Sequence, residues 1–107
     1  MSSVRPEYHT LERVYLQAIE QAAEGKGAER HAEVGQLWEE QRISNNSREF
    51  GLGFPLGQAD KKLHEGNRFY KQGDDEAAIR EWLGLMNYAA TAIMILQEKQ
   101  TGCDEHG

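Results

Sequence analysis

Between Trp82 and Leu96 the chain runs for 15 residues, WLGLMNYAATAIMIL, without one charged side chain. Read as a helix, this run is apolar or small on nearly every side, so no face of it suits water. A chain of 107 residues has few other elements with which to wrap it. Either the helix runs through the centre of the fold, or a second copy of the protein covers part of it.

The rest of the composition sets limits. The length fits one small domain with a single core. Twelve Lys and Arg against 18 Asp and Glu give a net charge of −6. That balance argues against general nucleic-acid or anionic-membrane binding, which needs a basic footprint. The 82–96 run is too short to span a bilayer, and Arg80 and Glu81 sit immediately before it. Cys103 is the single cysteine. With no secretory signal ahead of the first helix, a reducing cytoplasm is the expected compartment.

Helical spacing recurs along the chain. Pro6 suits the first turn of a helix, and Leu11, Val14, Tyr15, Ala18, Ile19 and Ala22 fall on one face after it. Glu24-Gly25-Lys26-Gly27 ends that helix. Over 28–41, Val34, Leu37, Trp38 and Gln41 keep helical spacing on a thin stripe that Gly35 interrupts. Ser44-Asn45-Asn46-Ser47 is cap and turn chemistry opening a short helix, which Gly51 stops. Gly51-Leu52-Gly53-Phe54-Pro55 reads as a loop, with Pro55 starting a helix to about Gln72. Gly73 ends that helix and Asp74 caps the last one, whose first turn carries Asp75 and Glu76. The last helix continues to about Lys99, and 101–107 is expected to be a disordered tail. No segment alternates like a strand. The expectation is an all-α fold: one domain over 1–100, a small bundle of about four helices with a central hydrophobic C-terminal helix.

Residues 66–86, GNRFYKQGDDEAAIREWLGLM, resemble the middle of a tetratricopeptide repeat, a unit of two antiparallel helices around a tight turn. Gly66-Asn67, Phe69, Tyr70, Gly73-Asp74, Ala78-Ile79 and Trp82 fill that family's places in order. Lys62 and Glu65 depart from it, standing where bulky apolar residues are usual, and Leu85 replaces a small residue. No second copy follows at the family's spacing, and about three repeats are normally needed for a stable array. The resemblance therefore implies one helical hairpin inside a non-repetitive fold, without a repeat-type groove. As a type, the small acidic helical chain also resembles accessory proteins carried by phages and prophages.

Candidate chemistry is sparse. The stretch Gly51, Gly53, Gly57 leads into a helix N-terminus, where free amides can hold a phosphate, with Arg48, Lys61, Lys62 and Arg68 as charge partners. Its spacing matches neither the dinucleotide fingerprint nor the P-loop. Lys61, Lys62, Arg68 and Lys71 make this helix locally basic, which a solvated face explains better than a ligand patch. His9, His31, His64 and His106 are scattered, and no Glu-x-x-His or His-Glu-x-x-His pair appears, so no metal and no cofactor is expected. The paired Glu-x-x-Glu and Glu-x-x-Asp of all-α pyrophosphohydrolases is missing, since Gly84 stands where the aspartate belongs. Neither a Gly-x-Ser-x-Gly elbow nor a paired nucleophile is present.

These readings favour a non-catalytic binding protein acting on another protein, assembled as a homo-oligomer, most simply a dimer. Trp82, Leu85, Met86, Ala89 and Ile93 are the candidate interface. The alternative is an oligomer that sequesters a small anionic ligand such as a nucleotide signal, which in a phage setting would inhibit a host defence.

Overall fold

The computed structural model describes residues 3–24 and 37–106, with side chains described as far as 101. It is all-α, and the described residues form four helices: α1 His9–Glu24, α2 Arg42–Phe50, α3 Gly53–Lys71 and α4 Asp75–His106. Single 3-10 turns, Pro6–Tyr8 and Trp38–Glu40, precede α1 and α2. No strand occurs among the described residues. Of the helical spacing read over 28–41, residues 28–36 lie outside the described residues, and 38–40 forms the second 3-10 turn.

α4 is the central element, packing against each of the other three helices. Its start is tightly specified. Gly73 adopts φ +82°, which suits glycine, and the Asp74 and Gly73 amides donate to Phe69 O at 2.9 Å and Tyr70 O at 3.0 Å. Asp74 Oδ1 then accepts from the Ala77 amide at 3.1 Å, closing the N-cap. The result is an abrupt reversal that lays α3 and α4 antiparallel.

Three boundaries differ from the sequence expectation. α2 starts at Arg42, so Ser44 and Ser47 lie inside it, fully buried, instead of capping it. Their hydroxyls donate to Trp38 O at 2.7 Å and Ile43 O at 2.8 Å, an outlet that lets serine stay helical. α3 starts at Gly53, so only Gly51 and Leu52 link it to α2. Pro55 still fits there, because an amide in the first turn has no helical partner to lose. α4 runs to His106, past the expected end near Lys99 and through most of the expected tail. No proline interrupts it, and Thr101 Oγ1 donates back to Gln97 O at 3.0 Å.

Polar side chains seat the helices on α4. Asn87 Nδ2 donates to Ala18 O and Gln21 Nε2 to Arg80 O, both at 2.9 Å, placing α1 antiparallel to α4. Arg48 of α2 clamps Glu98 near the far end. Between α3 and α4, Gly66 lies under the Trp82 indole, so close that an added Cβ would overlap the ring.

The core is made of small residues. Among the described residues the buried hydrophobic side chains are Ala18, Ala77, Ala78 and Ala92, joined by Pro55, Ser44, Ser47 and Thr91. The bulky residues of α4 are not fully buried within one chain: Ile93 and Leu96 are exposed, and Leu83, Leu85, Met86 and Ile95 are half-buried. The reason is geometric. α1, α2 and α3 leave one side of α4 uncovered.

Candidate interaction surface

Helical spacing identifies the uncovered side. Ile79, Trp82, Met86, Ala89, Ile93 and Leu96 follow one another at intervals of three and four, the two-position heptad repeat of a helix that meets another helix along its length. Ile79 is 52% exposed, Trp82 36%, Ile93 56% and Leu96 45%, with Met86 and Ala89 half-buried between them. No charged residue lies in this stripe.

α3 widens the surface. Leu56, Leu63 and Tyr70 stand seven residues apart, so they share a face with only a small drift per heptad, and all three are exposed. Two contacts place that face beside the α4 stripe. The Tyr70 and Trp82 rings lie 6.5 Å apart between centroids, and Trp82 Nε1 donates a long 3.4 Å hydrogen bond to Leu63 O. One side of the α3–α4 hairpin is thus a continuous apolar face, about two helices wide. A second apolar surface follows the N-terminal segment, where Tyr8, Leu11, Tyr15, Leu16 and Ile19 are each about half exposed.

Of the five residues expected at an interface, Trp82, Met86, Ala89 and Ile93 lie in the stripe. Leu85 stands one position off it and is half-buried. Leu56, Leu63, Tyr70, Ile79 and Leu96 are not among the residues that the sequence marks as an interface. The signal for them was present in the spacing of seven, but spacing alone does not say which side of a helix its neighbours cover.

The expected anion site has a different geometry. The glycine stretch is no loop: Gly53 and Gly57 belong to α3. In its first turn Pro55 offers no N–H, and the Phe54 amide is spent on Gly51 O at 3.1 Å. The basic side chains do not gather there. Lys61 and Lys62 follow Gly53 by about 12 Å or more along the helix, and Arg68 by about 22 Å. Lys62 Nζ lies 2.9 Å from Glu81 Oε2, an ion pair outside hydrogen-bond angles, and Lys61 lies 3.9 Å from Glu65. Arg68 sits over the Phe69 ring at 5.6 Å.

Arg48 makes the best-defined charge contact. Its Nε and Nη2 donate to the two Glu98 oxygens at 2.9 and 2.7 Å, and Nη1 donates to Asn45 Oδ1 at 2.8 Å. The hydrogen bond from Arg48 holds the Glu98 carboxyl below its ordinary pKa, and the same bond raises that of Arg48, helped by Glu39. With each of its three nitrogens donating a hydrogen bond, this guanidinium acts as a strut between α2 and α4.

Among the described residues no group of three or more His, Cys, Asp or Glu side chains could hold a metal ion. No helix among them is long and apolar enough to cross a membrane. Comparisons with protein-family models, with curated proteins and with solved structures return no match to this chain.

Proposed function

We propose that this chain is a non-catalytic binding protein that works through contact between helical surfaces, as a homo-oligomer. The observation that carries this reading is the apolar hairpin face, where Ile79, Trp82, Ile93, Leu96, Leu63 and Tyr70 stand exposed while, among the described residues, the buried hydrophobic ones are alanines. Soluble chains seldom leave so large a contiguous apolar patch without a use for it. Aromatic and aliphatic anchors flanked by polar residues are the composition of an interface core. The likeness of 66–86 to a repeat hairpin used in protein recognition points the same way. The N-terminal apolar surface gives such an assembly a separate place to hold a different protein.

Sedimentation velocity tests the reading. The wild-type chain should sediment as an assembly across the micromolar range, and Ile93→Asp should shift it to the monomer with helix content intact. Ile93 is exposed within one chain, so aspartate there disturbs only what covers it. A wild-type monomer throughout that range would refute the oligomer.

A further inference from the structure

The exposed stripe carries information about what covers it. Resting on the reading above, we propose that the occupant of the α3–α4 face is the same face of a second copy, with the two α4 helices antiparallel. The two-fold axis passes between residues 87 and 88. Ile79 then opposes Leu96 of the second copy, Trp82 opposes Ile93, and Met86 opposes Ala89.

Four observations carry this. The first is length. The Phe54 and Tyr88 rings meet at 6.4 Å, so α3 begins level with Tyr88, and Ile93 and Leu96 lie beyond its first turn. α4, with 32 residues, spans about 48 Å, so a second copy's α4 covers the whole stripe from Ile79 to Leu96, about 26 Å long, including the part that α3 does not flank.

The second is self-complementarity, which a two-fold contact demands of one patch. Antiparallel pairing sets the small Ala89 against the long Met86 and lets Trp82 pack on Ile93. Parallel α4 helices would put alanine on alanine and tryptophan on tryptophan, leaving a void in one layer and overfilling another.

The third is charge. Parallel helices would bring Asp74, Asp75 and Glu76 of both copies to one end. The antiparallel pair sets Asp75 and Glu76 level with Gln100 and Lys99 of the second copy.

The fourth is area. The chain exposes 8080 Å², against about 6,000 Å² for a folded monomer of its mass. That exposed area leaves room for the roughly 800 Å² per partner that a stable interface buries. A radius of gyration of 15.4 Å, against about 13 Å for a globular chain of this length, agrees.

Disulfide cross-linking of the full chain tests the arrangement, with Cys103→Ser as background. Ile79→Cys and Leu96→Cys are made separately, one carrying a mass tag, then mixed and oxidised. The mixed dimer should form in at least tenfold excess over either homodimer, because like positions lie about 26 Å apart along the paired helices. Asp75→Cys with Gln100→Cys, both at exposed polar sites, repeats the test without touching the apolar face. Homodimers of Ile79→Cys matching the mixed product would overturn the antiparallel arrangement. A protein that sediments as a dimer yet cross-links in neither mixture would overturn this face as the dimer contact, leaving the oligomeric reading intact. A monomeric wild type would overturn both.

Discussion

Gly66 shows how a single missing carbon sets the geometry of the hairpin. It is buried beneath the Trp82 indole, and a Cβ there would collide with the ring. With the ring in this place, Trp82 stacks toward Tyr70, reaches Leu63 O, and presents its outer edge to the apolar face. Alanine at 66 must push the indole outward or part the helices. Overfilling of this kind costs about 1–3 kcal/mol. Gly66→Ala should therefore lower the urea midpoint and red-shift tryptophan emission as the ring gains water. A variant with unchanged midpoint and emission would mean the close approach is not maintained in solution. The substitution should also weaken self-association, because Trp82 is one of the anchors of the face.

Among the helices, α2 is held to the far end of α4 by one bidentate ion pair. Because Glu98 is depressed in the folded chain, its pairing with Arg48 contributes fully above the unfolded carboxylate pKa of about 4.3 and is lost as pH falls through the folded value. Both side chains are more than a third exposed, so the contribution stays below about 1 kcal/mol. In acid the α2 amide resonances should shift before the α3–α4 hairpin unfolds, and Glu98→Gln should show that shift at neutral pH. An α2 indifferent to both would place its anchoring in the buried Ser44 and Ser47 instead. This tie joins residues 50 positions apart and could not be read from the sequence. The hairpin turn could, since Gly73-Asp74 joins a positive-φ stop directly to an N-cap. The Gly51–Pro55 stretch misled for a physical reason: three of its five residues usually mark loops, yet in a helix's first turn neither Gly53 nor Pro55 loses a hydrogen bond. Ser44 and Ser47 misled similarly, because serine caps helices and also survives inside them by bonding back to the preceding turn.

At the scale of the whole molecule, an uncharged run such as 82–96 announces that it must be covered, without saying by what. The α4 helix lies centrally, as that run requires, but its neighbours reach only part of its circumference. Ile93, expected at an interface, and Leu96 both stand exposed: periodicity locates a face, and the placement of the other helices decides whether one chain suffices to cover it. The basic residues of the anion-site reading, Arg48, Lys62 and Arg68, are spread along two helices and engaged by neighbours within the chain. In the assembly proposed above, a second protein surface, and not a small ligand, completes this fold. Native mass spectrometry of the freshly purified chain tests it most directly. The account predicts a species of about 24 kDa, twice the 12.2 kDa chain, with no added mass. A 12.2 kDa species at micromolar concentration, or an assembly carrying reproducible extra mass in the nucleotide range, would contradict it.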